Sequence, residues 1–200
     1  MSGLVDDILS HLNDAQVSAI AGQLGTAPAQ ARNAIEHALP LIVGHMAQNA
    51  STPQGAEALN NALGEHAGFK ISDVLSGMLN GSANSQGVGG AILGHIFGGN
   101  QNAANQGLGQ VTGLGPQNSG QLMAILAPIV MTALANHAQT QGTGAGGIGG
   151  MLAQEAQQIQ QRGGVAGGLL NAVLNHSGGN MDLSQLVQGT GGLLNAFTRH

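Results

Sequence analysis

Eight histidines have the most versatile chemistry in this chain, because imidazole binds metal ions and exchanges protons near neutral pH. No pair of them forms an H-x-H or H-E-x-x-H motif. His37 and His45 share one apolar segment, but a helix separates residues at this spacing by about 12 Å, too far to bind one ion together. We therefore expect surface and helix-capping roles and no metal site. The eight are His11, His37, His45, His66, His95, His137, His176 and His200.

Motifs for nucleophilic, phosphate and dinucleotide chemistry are absent or incomplete in this sequence. The sequence contains no G-x-S-x-G elbow and no G-K-[ST] phosphate loop. Gly144, Gly146 and Gly149 match G-x-G-x-x-G, but that fingerprint follows a β-strand, and here a long helix is predicted before it. We interpret these glycines as a linker. We expect no enzyme activity, no catalytic residue and no cofactor.

The charge of the chain is unusually low. Charged residues make up 6% of the 200 residues and the formal net charge is −5, whereas about 25% is typical of soluble proteins. Lys70 is the single lysine, and the arginines Arg32, Arg162 and Arg199 are far apart. Nucleic acid and anionic membrane surfaces both need clustered cations, so neither is an expected partner. A surface of small and amide side chains repels copies of itself weakly, which favours self-association.

The sequence also predicts where the protein resides. The chain has no cysteine, so disulfides are excluded. Its first residues, MSGLVDDILSHLND, lack the basic region and the cleavage site of a secretory signal. The longest apolar run, residues 122–135, is shorter than the roughly 20 residues that a membrane span needs. We expect a cytoplasmic protein without a membrane span, with this run as a buried core helix.

Apolar residues follow a helical period almost everywhere. One stripe is formed by Ile35, Ala38, Leu39, Ile42, Val43 and Met46, and a second by Leu122, Ile125, Leu126, Ile129, Val130 and Ala133. No stretch alternates long enough to predict a strand, so the expected fold is all-α and multi-helical. The predicted helices are 3–12, 14–24, 28–49, 53–66, 72–80, 87–97, 103–112, 117–139, 147–161, 165–175 and 182–197.

An internal repeat is predicted from residues that recur at an offset of 88 positions. The pairs are Pro40 with Pro128, Pro28 with Pro116, and Gly25 with Gly113. They define two units, about 3–49 and 91–137, inside a helical core of residues 1–139. Pro40 and Pro128 each fall inside a predicted helix, where proline removes a hydrogen bond and bends the axis. Chance matching of apolar runs is the alternative.

Residues 140–200 are predicted as a separate glycine-rich region. QTQGTGAGGIGG is interpreted as a linker. Two short helical segments follow that share GGLLNA, and QGVGGAILGHIFGGN at 86–100 is similar to them. Such short helices are marginal alone, so they must dock on the core or on a neighbouring copy. The predicted interface residues are Ile92, Leu93, Ile96, Phe97, Leu169, Leu170, Leu193, Leu194 and Phe197.

Several segments together resemble a known bacterial family. They are Ala27-Pro28, ALPLIVGHMA, STPQGAEALNNAL, ILGHIFGG and LAPIVM. Over roughly residues 3–137 the chain resembles the YidB-like family, a group of unknown function. The resemblance implies an all-α, soluble bacterial protein without an established activity, and it supplies no catalytic residues.

Two hypotheses for function follow. The first is a non-enzymatic structural protein that forms a homo-oligomer or polymer through weakly charged faces of small residues. The second is a binding module that takes an apolar ligand or a partner helix between the two proline-containing helices.

Overall fold

The computed structural model describes residues 3–66, 68–79, 85–142 and 145–162. These ranges contain nine α-helices and a 3₁₀ turn, Gly98–Asn100, and no strand. The predicted all-α fold is therefore confirmed. The helices are α1 Leu4–His11, α2 Asp14–Leu24, α3 Pro28–Asn49, α4 Pro53–His66, α5 Ile71–Leu79, α6 Ser85–Phe97, α7 Gln101–Thr112, α8 Gly115–Gln141 and α9 Ala145–Arg162. The predicted helices 165–175 and 182–197 lie outside the described residues.

Local sequence signals set the helix ends. Asn13 begins α2 with a capping box, because its side chain accepts from the Gln16 amide and the Gln16 side chain accepts from the Asn13 amide, both at 2.9 Å. Gly25 ends the helix with a left-handed φ of 63°, a conformation that costs glycine little. Pro28 then begins α3 at a position where its missing N–H is not needed. The predicted range 14–24 is therefore correct.

The core is built on α3 and α8. Their apolar stripes are almost fully buried, including Leu39 and Ile42 on α3 and Leu126 and Ile129 on α8. Among the helices of the described residues, α8 alone is long and apolar enough to cross a membrane by length and composition. In this fold 83% of that apolar window is buried inside the protein, which is the environment of a central core helix.

Both long helices continue through their interior prolines. Pro128 has no N–H, so the carbonyl of Ala124 loses the partner it would have in an uninterrupted helix. The crossing helix α6 places Gly89 directly on this carbonyl group, so closely that a Cβ there would lie 2.7 Å from the Ala124 carbonyl carbon. The Ala124 carbonyl therefore lies where α6 crosses α8, and only glycine fits at position 89 of this crossing. The bend at Pro40 and Pro128 stays a prediction.

Amide side chains connect the two predicted repeat units. Gln30 of α3 donates to the carbonyl of Thr112, the last residue of α7, at 3.3 Å. Asn118 of α8 donates to the carbonyl of Leu24, the last residue of α2, at 3.1 Å. The offset of 88 residues relates Gln30 to Asn118 and Leu24 to Thr112, so each unit caps the other at equivalent positions. A duplication predicts this reciprocity, although the duplication itself stays a prediction.

The helix α9 lies against α3 and α4. Its buried residues are Ile148, Leu152, Glu155 and Ile159, which form one helical stripe. It begins at Ala145, so the glycine-rich segment predicted as a linker through residue 150 is helical over its second half. The helix extends into this segment because Ile148 is buried in the core and Gly149 lies close to Ala50.

Candidate association surface and polar cleft

Two helices that pack on α8 come from an uncharged part of the sequence. Between Asp73 and Glu155 the chain contains no Asp, Glu, Lys or Arg. This stretch includes α6 and α7, which both pack on α8 and present their other sides to solvent. We call the exposed residues of these two helices the uncharged face: Gly87, Val88, Ala91, Gly94, His95, Asn102, Gln106, Gln110 and Val111.

The uncharged face is partly apolar and includes several small residues. Val88 is 48% exposed and Val111 is 38% exposed, which makes them two of the three large apolar side chains most exposed in the described residues. Along α6, Gly87, Ala91 and Gly94 fall on the same exposed side. A Cβ added at Gly94 would meet no atom within 4 Å. Another helix backbone can therefore approach α6 closely on this side.

The predicted interface residues of α6 lie mainly inside the protein. Leu93, Ile96 and Phe97 are 0%, 6% and 3% exposed and pack within the core, and Ile92 is half-buried against it. The stripe predicted to cover a neighbour instead covers α8 of the same chain, because an apolar helix beside an apolar core is buried there first. The other predicted residues, Leu169, Leu170, Leu193, Leu194 and Phe197, lie outside the described residues.

His45 occupies a buried position, unlike the surface role that the sequence predicts. It is 2% exposed, and its ring lies 4.3 Å from the ring of Phe97, centroid to centroid. Its Nδ1–H donates to the Leu41 carbonyl at 3.2 Å, whereas Nε2 is buried without a hydrogen-bond partner. Burial lowers the pKa of His45 below its ordinary value of 6.5, and the Leu41 hydrogen bond offsets this only in part. The neutral imidazole therefore belongs to the folded core.

A polar cleft opens where α1, α5 and α8 meet. Its volume is about 390 Å³. The Asn136 side chain donates to the Phe69 carbonyl at its rim at 3.1 Å, and Phe69 itself is 54% exposed. His11 lies 4.0 Å from the carboxylate of Asp7. The lining residues are Asp7, His11, Lys70, Ile71, Ser72, Ala133, Asn136, His137 and Thr140.

Lys70 lines this cleft at the start of α5. Lys70 directly precedes α5, and its carbonyl accepts from the amides of Asp73 and Val74 at 3.0 and 3.1 Å. A cation is disfavoured at this end of a helix, because the free N–H groups there carry partial positive charge. Asp73 in the first turn offsets part of this charge. Lys70 forms no ion pair with a described residue, so an anion at this point would satisfy both the ammonium group and the helix end.

The described residues contain no group of three His, Cys, Asp or Glu side chains that is arranged to hold a metal ion. His11 and His37 contact the backbone carbonyls of Asp7 and Asn33, four residues earlier, through Nδ1. His45 makes the same local contact. In these three imidazoles Nδ1 is thus engaged by the backbone of the residue's own helix.

The helix arrangement and these surfaces define an all-α domain built on two long proline-containing core helices. A family model of bacterial proteins of unknown function, DUF937, matches residues 6–137. The chain belongs to this family, in agreement with the YidB-like resemblance of its motifs. No curated protein and no solved structure gives a significant match.

Neither the polar cleft nor the uncharged face could be predicted in full from the sequence. The polar cleft combines residues near positions 7, 70 and 137, and no local motif connects segments so far apart. The uncharged face has a signal that is visible in the sequence, namely the absence of ionic residues between Asp73 and Glu155. Its position on the fold follows only from the packing of α6 and α7 on α8.

Proposed function

We propose that this protein is a non-enzymatic structural protein that self-associates through the uncharged face into a homo-oligomer or polymer. The observation that carries the proposal is that two adjacent surface helices, α6 and α7, contain no ionic residue. Soluble proteins normally keep charges on such helices, because charges repel other copies. A face without them favours contact with an identical face.

The chemistry of the uncharged face supports contact with a second copy. Val88 and Val111 supply apolar area, and Gly87, Ala91 and Gly94 allow close approach of helix backbones. The exposed amides of Asn102, Gln106 and Gln110 can donate and accept hydrogen bonds across a symmetric contact. Such a contact buries no ion, so it has no charge-desolvation cost to overcome.

The test compares two substitutions of exposed helical glycines. Gly94→Gln on α6 and Gly22→Gln on α2 both add a side chain whose Cβ would meet no atom within 4 Å. Neither is expected to disturb the fold, and each should raise helix propensity. We expect the native protein and Gly22→Gln to sediment as assemblies at micromolar concentration and Gly94→Gln to dissociate. A native protein that sediments only as a 19.8 kDa species would refute the proposal.

The binding hypothesis has to be moved to another place on the fold. The apolar residues of α3 and α8, such as Ile42 and Ile129, are already 0% exposed, which argues against a ligand or partner helix between them. The second candidate function is therefore binding of a small anion in the polar cleft. Its favouring observation is Lys70, placed beside the α5 N-terminus next to the exposed ring of Phe69.

This second candidate is tested by titrating inorganic phosphate and acetate into isotope-labelled protein. Binding should shift the backbone amide signals of Ile71 and Ser72, which lie at the α5 N-terminus. Lys70→Met should remove the shifts, and Arg32→Met, which removes a cation that pairs with Asp14, should leave them unchanged. Shifts that are equal in the two variants would assign the effect to ionic strength and dismiss the site.

A further inference from the structure

The last turn of α6 is attached to α3 by one pair of rings and one amide side chain. The Phe97 ring is 3% exposed and lies 4.3 Å from the His45 ring, centroid to centroid. One helical turn further along α3, the Asn49 side chain donates to the carbonyls of His95 and Ile96 at 3.1 and 2.7 Å. We call these interactions of His45 and Asn49 with the last turn of α6 the α3–α6 contact.

The helix α6 depends on such contacts because its own helix propensity is low. It contains 13 residues, and four of them are glycine, which favours the helix less than any residue except proline. They are Gly87, Gly89, Gly90 and Gly94. The chain then continues from Phe97 into Gly98, whose φ of 52° is left-handed and suits glycine. A helix of this composition opens locally more easily than its neighbours, once a docking contact is lost.

His45 fits the α3–α6 contact as the neutral imidazole. Its Nδ1–H donates to the Leu41 carbonyl at 3.2 Å, and its buried Nε2 has no hydrogen-bond partner in the described part of the chain. Protonation places a hydrogen and a positive charge on this ring, and a buried charged donor without an acceptor is costly. Burial accordingly lowers the pKa of His45, and the Leu41 hydrogen bond offsets only part of this.

The surrounding helices offer no acid that compensates an imidazolium at this position. The helices α6, α7 and α8 contain no Asp, Glu, Lys or Arg, and their histidines are His95, which is exposed, and His137, which lines the polar cleft. On α9 the carboxylate of Glu155 already accepts from the Val5 amide at 3.2 Å. Neither cause of the pKa shift of His45 is a charged side chain. Exposed or half-buried ionisable side chains on α3 and on the helices that pack on it are Asp6, Asp7, His11, Asp14, Arg32, Glu36, His37 and Glu57.

We propose that protonation of His45 opens the α3–α6 contact, so that Phe97 and the last turn of α6 separate from α3 and the imidazolium reaches water. The proposal goes beyond the proposed self-association and does not require it. Because α6 also carries the uncharged face, such opening would place that association under pH control. This consequence alone rests on the proposed function.

The test is amide hydrogen exchange in Gly94→Gln, one pH unit above and one below 6.5, so that association through α6 does not contribute. The amides of Ile96 and Phe97 report on the last turn of α6, and those of Ile20 and Ala21 in α2 report on opening of the whole fold. If His45 has its ordinary pKa of 6.5 in the open state, the protection factors in α6 should fall by up to about tenfold at the lower pH. They should also stay below those in α2.

Two substitutions added to Gly94→Gln assign the effect to one histidine. His45→Phe keeps an aromatic ring beside Phe97 but cannot be protonated, so the fall in the α6 protection factors should disappear. His95→Gln removes the exposed histidine of α6 and should leave the fall unchanged. Protection factors in α6 that do not depend on pH would overturn the proposal. So would a fall that persists in His45→Phe, or protection factors that are equal in α6 and α2, which would mean that only the whole fold opens.

Ring-proton titration of Gly94→Gln itself gives a second measurement that does not depend on the folding of a His45 variant. The ring signals of His45 should titrate with a midpoint below 6.5, and those of Phe97 should shift with the same midpoint as the two rings separate. Phe97 signals that stay unchanged while His45 titrates would overturn the opening. Sedimentation at neutral pH tests the proposed self-association separately, since the exchange and titration results concern the single chain.

Discussion

Gly89→Ala is the most direct test of how α6 crosses α8. The added methyl would lie 2.7 Å from the carbonyl carbon and 3.0 Å from the Cα of Ala124, and closer still to the carbonyl oxygen. These are backbone atoms of the central core helix, so no flexible side chain can move aside. The two helices must separate, and this also disturbs the burial of Leu93 and Phe97 on the same helix.

The expected change in the free energy of unfolding combines two opposing effects. Overpacking of a well-packed interior costs about 1–3 kcal/mol, and a backbone clash belongs at the upper end of this range. Alanine favours the helix over glycine by about 1 kcal/mol. The free energy of unfolding of Gly89→Ala should therefore fall by about 2 kcal/mol. For a chain of 200 residues this corresponds to a Tm lower by about 4–8 °C.

The matched control is Gly94→Ala, five residues later on the same helix. No atom lies within 4 Å of the added methyl there, so this variant should gain up to about 1 kcal/mol. Urea denaturation followed by circular dichroism measures both variants. The two should differ by about 3 kcal/mol in opposite directions from the native protein. If Gly89→Ala is as stable as Gly94→Ala, α6 does not cross α8 at Ala124, and the packing described above is refuted.

Two further substitutions test the buried imidazole and the reciprocal caps. The pKa of His45 is lower in the folded protein than in the unfolded chain, so on acidification the unfolded chain binds a proton at this imidazole first. The free energy of unfolding should therefore fall as the pH drops below 6.5, until the pH has passed the folded-state pKa. In His45→Leu this loss should disappear from urea titrations repeated at mildly alkaline and mildly acidic pH; an unchanged pH dependence would assign it to other groups. Gln30→Ala and Asn118→Ala each remove a cap and should each cost about 1 kcal/mol, equally within error if the two repeat units are equivalent. Unequal losses in thermal unfolding would contradict that equivalence.

The helices and the core were largely predictable from local pattern. The range 28–49 is correct because a proline at the first turn and a regular apolar stripe both act within one helix. The helix predicted at 117–139 extends two residues further at each end, to Gly115–Gln141. Such boundaries depend on which carbonyls find partners elsewhere in the fold.

The orientation of α6 was not predictable for a physical reason. Small and apolar residues occur on all its sides, so the pattern does not say which side is buried. The sequence pattern predicted Leu93 as an interface residue and did not single out Val88, whereas Leu93 is fully buried and Val88 is 48% exposed. The deciding contact is Gly89 on the Ala124 carbonyl, which requires knowledge of a second helix. The same limit applies to the polar cleft, whose three segments meet only in the folded chain.

Amide side chains and close glycine contacts, and not ion pairs, connect several of the described helices. Asn49 of α3, for example, donates to the carbonyls of His95 and Ile96 at the end of α6, at 3.1 and 2.7 Å. Because amide side chains bind the carbonyls at the ends of α6 and α7, these helix ends need no Lys or Arg. The uncharged face is therefore compatible with a stable fold.

A contact between neutral surfaces should respond to salt in a characteristic way. Association through ion pairs weakens as salt screens the charges, whereas burial of a neutral surface is insensitive to sodium chloride and is strengthened by sulfate. Assemblies of the native protein should therefore persist from low to high sodium chloride and grow in sodium sulfate, measured by light scattering. Gly94→Gln should stay dissociated in both salts. Dissociation of the native assemblies at high sodium chloride would place the contact on the charged side of the molecule, around Asp14 and Arg32, and would remove the uncharged face as its cause.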